Sequence, residues 1–245
     1  MKQLAAAVAM IALCSCATAQ VAVPPTQVAE LERNLNGDHR FLRVSMFLTP
    51  FYGDTTKRLL TPVSPELVRF LDGTNGKPLN PGPAERTFPA GTPVRIEKVE
   101  FPSAWVMTER VLYTPRTLVW VYVDVPGQPK NAPPAVLVLR PGLRSDQEFM
   151  AELERHLTRE DQTKRLESFS DPVREAIRTK GAVLEMPSEA LEMAWGFPES
   201  KKIELVDSQR KETWRWGDGA RTATLIDGRL SAFTGASGAS SSSSP

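Results

Sequence analysis

Alternation of apolar and polar residues through the middle of the chain predicts a series of short β-strands. Val94 and Ile96 recur among polar neighbours, and the segments LVWVYVDV and AVLVL are almost continuously apolar. Strands of this length, separated by turn residues and with no helix between them, are typical of an antiparallel sheet or small barrel. The predicted strands are residues 40–48, 93–101, 105–113, 118–125 and 135–139.

Helical periodicity begins after this β-rich stretch. Ser145 and Glu148 form a capping box, and Phe149 and Leu153 then recur at helical spacing. We expect this helix to connect two domains. Pro and Gly residues delimit two further helices, residues 171–181 and 188–195.

A second β-rich stretch lies near the end of the chain. Gly217-Asp218-Gly219 and Asp227-Gly228 are hairpin signals between segments of alternating polarity. The final GASGASSSSSP is of low complexity, and we expect it to be disordered. The predicted strands are residues 211–216, 221–226 and 229–233, with residues 201–206 as a candidate fourth.

The order of these elements predicts an α+β fold in two parts. An N-terminal antiparallel β-rich domain, a small barrel or sheet, is joined by a helix to a C-terminal two-helix plus three-stranded antiparallel meander. The expected divisions are a signal peptide (1–19), a tether (20–37), the β-rich domain (38–142), the connecting helix (143–169), the α+β domain (170–234) and a disordered tail (235–245).

The N-terminus indicates export. Lys2 precedes ten apolar residues, LAAAVAMIAL, a run too short for a bilayer core of about 30 Å and typical of a secretory leader. Leu13-Cys14-Ser15-Cys16 resembles the lipobox of bacterial lipoproteins, which implies a lipid on Cys16. Alternatively, Ala17-Thr18-Ala19 is a signal-peptidase site that would release a soluble protein beginning at Gln20. Both cysteines lie in this stretch, so we expect no disulfide in the mature fold.

Charge and motifs exclude several classes of function. The formal net charge is +1, and acidic and basic residues are interspersed, which argues against a nucleic-acid-binding protein. The histidines are His39 and His156, and no cysteine follows Cys16, so we expect neither a zinc site nor a cofactor. No nucleophile, phosphate-binding or dinucleotide motif occurs. We therefore expect a protein that is not an enzyme; a hydrolase using two carboxylates is the remaining catalytic alternative.

Short motifs of the C-terminal region are similar to the SmpA/OmlA-type domain, a family that includes the small lipoprotein of the outer-membrane β-barrel assembly machinery. The resemblance implies a non-catalytic envelope domain that binds other proteins or lipid headgroups. Residues 85–140 more loosely resemble bacterial SH3-like barrels. The first resemblance rests on MPSEAL (186–191), WGFP (195–198), TWRW (213–216) and IDGRL (226–230), the second on GTPVRI (91–96) and WVYV (120–123).

The leading hypothesis is an envelope lipoprotein on the periplasmic side of the outer membrane, without a transmembrane helix, which acts as a scaffold or protein-binding accessory factor. The candidate partner-binding residues are Trp214, Arg215 and Trp216. Because neighbours along a strand point to opposite faces, we expect both tryptophans to cover their own helices and Arg215 to lie on an open face.

The alternative hypothesis is an SH3-like module that binds peptidoglycan or a peptide. Trp105 and Trp120 are expected in the core of the barrel. An exposed groove lined by Trp105, Trp120 and Tyr122 would instead favour wall binding.

Overall fold

A computed structural model describes residues 19–129 and 131–235 and shows a mixed α+β fold built on two sheets. Its helices are α1 (Pro25–Leu35), α2 (Ala104–Glu109), α3 (Asp146–His156), α4 (Thr163–Glu167), α5 (Asp171–Thr179) and α6 (Ser188–Trp195). Its strands are β1 (His39–Leu42), β2 (Met46–Phe51), β3 (Asp54–Thr61), β4 (Arg86–Phe88), β5 (Pro93–Glu100), β6 (Trp120–Asp124), β7 (Ala135–Val138), β8 (Leu157–Thr158), β9 (Ser200–Val206), β10 (Gln209–Trp216), β11 (Arg221–Ile226) and β12 (Arg229–Thr234).

The large sheet contains eight strands in the order β4-β2-β3-β7-β6-β5-β1-β8. All neighbouring strands are antiparallel except β3 and β7, which run parallel. The order is open from β4 to β8, so the SH3-like barrel expected over residues 85–140 is not confirmed. Those residues supply β4 to β7, whereas β1 to β3 and β8 complete the sheet.

Both faces of the central strands are buried. Val121 and Val123 of β6 point into a core under α1 and α3, and Trp120 and Tyr122 point into a second core on the opposite face. A strand covered on both faces is continuously apolar, which explains the segments LVWVYVDV and AVLVL.

The strand predicted over residues 105–113 is wrong. Helix α2 begins after Ser103, whose Oγ accepts a hydrogen bond from the N–H of Val106. This N-cap satisfies the Val106 N–H, one of the backbone donors that the first turn of a helix leaves without a partner inside the helix. Residues 105–113 are therefore not part of the large sheet, in which β6 lies directly beside β5.

Residues 20–37, expected as a tether, pack against the large sheet. The N–H of Gln20 donates to the Thr117 carbonyl at 3.0 Å, and Leu31 and Leu35 of α1 are buried in the core. The expected connecting helix also contributes to this part of the fold: α3 buries Phe149 and Leu153, and β8 then pairs with β1.

The C-terminal sheet is the four-stranded antiparallel meander β12-β11-β10-β9, with α5 and α6 packed against one face. The candidate fourth strand near residues 201–206 is therefore present as β9. Asp227 and Gly228 both have positive φ in the turn between β11 and β12, as a tight hairpin requires.

A serine and a lysine join the two sheets. Ser45, just before β2, donates its N–H to the Met193 carbonyl at 2.7 Å and its hydroxyl to the Ile177 carbonyl at 2.6 Å. The Nζ of Lys180 donates to the carbonyls of Ser45 and Ala194 at 2.6 and 2.8 Å. The loop before β2 is thus bonded to both helices of the C-terminal unit.

Lys180 is buried, and these contacts suit a neutral amine. Burial lowers the pKa of Lys180 well below its usual value, and the charge of Arg221 acts in the same direction. A neutral amine has two hydrogens, and the two carbonyls accept both of them. Among the described residues, its hydrogen-bond partners are thus backbone carbonyls, with no carboxylate among them.

We predict that Lys180→Met changes the pH dependence of stability. Between the lowered pKa of the folded lysine and about pH 10.4, the unfolded lysine is protonated while the folded amine is neutral, so the unfolded chain binds more protons over that range. The free energy of unfolding of the wild type, relative to Lys180→Met, should therefore rise with pH by up to about 1.4 kcal/mol per unit between the lowered pKa and about 10.4. Urea unfolding across this range measures the difference.

Lys77→Met is the matched control because Lys77 is exposed. Its unfolding curve should follow that of the wild type at each pH. Parallel pH profiles for Lys180→Met and the wild type would contradict a neutral buried amine.

Candidate functional site

Two of the three candidate partner-binding residues lie in the core. Trp214 and Trp216 of β10 are 2% and 5% exposed and pack with α5 and α6. Trp216 meets Trp195 of α6 edge to face, with 5.2 Å between ring centroids. Its indole N–H donates to the Gly196 carbonyl, and that of Trp214 donates to Glu212. These satisfied, buried rings stabilise the domain and are not available to a partner.

Arg215 lies on the opposite, open face of the C-terminal sheet. Its neighbours across the strands are Ser200 and Thr222, and Thr213 shares its face two residues away. The side chain of Arg215 is exposed. The face around Arg215 is thus polar and accessible, as expected for a sheet that helices cover on one side only.

Strand β9 is the most accessible regular element of this sheet. It occupies the edge of the strand order, and all seven of its residues are exposed. Ile203, Leu205 and Val206 have 55%, 78% and 45% of their surface exposed. A long edge strand with apolar side chains presents unpaired backbone groups, which another extended chain can bind.

The β9–β10 hairpin projects beyond the helices that cover the tryptophans. Lys201 lies opposite Trp214, with its Nζ 3.9 Å from the ring centroid, and its amine binds Glu192 of α6. Ile203 and Leu205 continue the same face of β9 past this point. The apolar stripe therefore begins where the helical cover ends.

Sequence reasoning treated the hairpin only as a candidate strand and did not identify its apolar stripe. The available signal was the alternation in KIELV ahead of Asp207-Ser208. Both turn residues have positive φ, as in a two-residue hairpin. Exposure of that stripe depends on where α6 ends, which alternation alone does not indicate.

The aromatic residues proposed for wall binding do not line one groove. Trp105 is 71% exposed on α2, so its assignment to the core is wrong. Trp120 and Tyr122 are buried in β6, and the Arg110 guanidinium lies 3.7 Å from the centroid of the Trp120 ring. Burial of Trp120 is as predicted, with its indole N–H donating to the Pro115 carbonyl.

An open cavity of about 470 Å³ lies beside the β2–β3 turn. Its lining includes Tyr52, Tyr113, Asn75, Asn80 and Leu79, and none of the described residues around it contributes a charged side chain. Both tyrosines have positive φ, an unusual conformation for bulky residues. The Tyr52 hydroxyl is buried without a hydrogen-bond partner among the described residues, and burial raises its pKa.

The described carboxyl groups are held as anions wherever their pKa clearly shifts. Burial would raise the pKa of Glu152, but hydrogen bonding to His156 and the charges of His156, Arg155 and Arg140 hold it below its usual value. In the same way, Arg110 and Lys98 lower the pKa of Glu100 against the effect of its burial. These groups are components of ion pairs, unlike a general acid, whose pKa is raised.

Histidines and possible metal ligands are dispersed in the part of the chain that the structure describes. His39 is exposed on β1, whereas His156 lies on α3 beside Glu152. Residues 19–129 and 131–235 contain no group of three or more His, Cys, Asp or Glu side chains that could hold a metal ion. Nothing in this region therefore identifies a metal centre.

The proposed lipid-attachment residue Cys16 lies outside the described residues, as does Cys14. Among the described helices, none is both long and apolar enough to cross a membrane.

No protein-family model matches the chain, and no curated protein or solved structure is significantly similar to it.

Proposed function

We propose that this protein is a non-catalytic accessory factor that binds another envelope protein by adding an extended segment of that protein to β9. The observation that carries the proposal is the edge strand itself: seven consecutive exposed residues, three of them large and apolar. Strand addition joins backbone groups along the edge, and alternate side chains select the partner.

Charges on β9 limit unselective pairing. Lys202 and Glu204 form an ion pair on the strand, and Lys201 is held by Glu192. Edge lysines disfavour pairing with arbitrary strands because an incoming chain must accommodate their charge. A partner segment with apolar residues opposite Ile203 and Leu205, and acidic residues near the lysines, fits this edge best.

Membrane attachment is the second part of the proposal. The lipobox-like Leu13-Cys14-Ser15-Cys16 supports a lipid on Cys16, with the protein on the periplasmic side of the outer membrane. The resemblance to the SmpA/OmlA-type domain supports the same location. The packing of α5 and α6 on an antiparallel meander agrees with this resemblance. The start of α6 does not add to it, because α6 begins at Ser188 without a side-chain cap.

We predict that a photoreactive amino acid at Leu205 gives a discrete heteromeric adduct in intact cells. Leu184 is the matched control position because it is also a leucine in the C-terminal unit and is 55% exposed. Adding Ile203→Asp should reduce the adduct by about fivefold or more, the effect of losing about 1 kcal/mol at an apolar contact. Gel shifts and mass spectrometry measure the yield and the partner.

Ile203→Asp should leave the free energy of unfolding within about 0.5 kcal/mol of the wild type, since Ile203 is exposed. Equal adducts at Leu205 and Leu184 would contradict strand addition at β9. An adduct between two copies of this chain would replace the accessory-factor proposal with self-association.

We predict that Cys16 is acylated. Metabolic labelling with an alkyne fatty acid should mark the wild type and not Cys16→Ser, and only the wild type should fractionate with the outer membrane. Cys14→Ser is the control and should retain the label. An unlabelled protein beginning at Gln20 would contradict the anchor while leaving the β9 proposal intact.

A further inference from the structure

A second group of exposed apolar side chains lies on the large-sheet unit, far from β9 in the sequence. We call it the apolar segment, defined by Trp105, Val111, Leu112 and Tyr113. Their side chains are 71%, 43%, 57% and 60% exposed. Eight large apolar residues are exposed in the part of the chain that the structure describes, and these four lie within nine consecutive positions. Exposed apolar side chains are normally scattered singly over the surface of a monomer, whereas a cluster of them is typical of an interaction surface.

The surrounding contacts hold the apolar segment outward. Arg110 points inward, where its guanidinium binds Glu100 at 2.8 Å and donates to the carbonyls of Arg116 and Leu118. The Thr114 hydroxyl and N–H both donate to the Val111 carbonyl. Because the residues before and after Val111–Tyr113 are bonded into the fold, exposure of the three side chains belongs to the folded structure.

The apolar segment lies close to the beginning of the described chain. The N–H of Gln20 donates to the Thr117 carbonyl at 3.0 Å, and the Gln20 carbonyl accepts from Gly142. Thr117 is four residues after Tyr113, and Gln20 is four residues after Cys16. Each of these four-residue stretches spans at most about 14 Å, so a lipid on Cys16 would enter a bilayer within about 28 Å of Tyr113.

We propose that the apolar segment inserts into the bilayer interface beside the lipid anchor. This inference rests on the membrane attachment proposed above. Trp and Tyr have an apolar body with a polar edge and are enriched at the membrane interface, and Val and Leu add apolar surface between them. The lipid and the segment together provide two points of attachment, which restrict how the protein is oriented on the membrane.

Trp105 supplies a direct spectroscopic test because the other tryptophans are buried. The exposed fractions are 1% for Trp120, 2% for Trp195, 2% for Trp214 and 5% for Trp216. Fluorescence that is lost in Trp105→Phe therefore reports the apolar segment.

The full chain is purified from membranes and reconstituted into vesicles of phosphatidylethanolamine and phosphatidylglycerol that contain phosphatidylcholine brominated on its acyl chains. Contact between Trp105 and the acyl region should quench the Trp105-dependent fluorescence, whereas Trp105→Phe should show no quenching beyond that of the buried rings. Leu112→Asp should reduce the quenching because a carboxylate opposes insertion. Leu184→Asp should not reduce it, because Leu184 is a leucine of similar exposure, 55% against 57% for Leu112, outside both proposed surfaces.

The outcomes separate this inference from the anchor. A protein that floats with the vesicles while Trp105 remains unquenched would retain the anchor and overturn insertion of the segment. If the purified chain carries no lipid, the anchor fails, and the same brominated vesicles are added to the soluble protein. Quenching of Trp105 on addition would still support insertion, and unchanged fluorescence would overturn it.

Discussion

Within residues 19–129 and 131–235 no carboxylate pairs with the buried amine of Lys180, and the way this amine is accommodated determines how the two sheets meet. It donates to carbonyls on opposite sides of the junction, one from the loop before β2 and one from the end of α6. Trp195 adds an indole N–H that donates to the Lys180 carbonyl. A buried polar group is stable only when its bonds are made, so this lysine requires both units in place.

Other contacts strengthen the same junction. Arg221 of β11 donates to the Ser64 hydroxyl near the large sheet, and its guanidinium lies over the Trp195 ring. The C-terminal unit is therefore bonded to the rest of the chain through polar side chains as well as apolar packing. This attachment leaves the far edge of the meander, β9, free of helical cover.

Two kinds of apolar exposure distinguish the proposed surfaces. On β9 the side chains accompany an unpaired backbone edge, which suits an extended protein segment. In the apolar segment, Trp105 lies on a capped helix and the other three residues lie in the bonded turn after it, so the segment belongs to no strand that could pair with a partner. A bilayer interface requires no backbone pairing, so it fits the second surface better than an extended peptide does.

Short sequence motifs were sufficient to predict local structure where a single interaction, such as a helix cap or a glycine turn, determines the backbone conformation. The Ser145 hydroxyl accepts from the Glu148 N–H as predicted, while the Glu148 carboxylate accepts from Arg144, one residue earlier than the capping box implied. Hairpin turns near the C-terminus also followed from their glycines, since few other residues tolerate positive φ. The strand prediction for residues 105–113 was wrong because their β-like composition does not reveal that Ser103 caps a helix.

By itself, the sequence determined the α+β class, the alternating faces of β10 and the apolar character of β6 and β7, because each depends on spacing along a single segment. Only the tertiary structure decided that residues 20–37 pack on the large sheet, that this sheet is open, and that Lys180 lies at the junction. It also decided which apolar residues are exposed. These features depend on pairing between distant segments, as when β3 lies beside β7, and on where one element stops covering another.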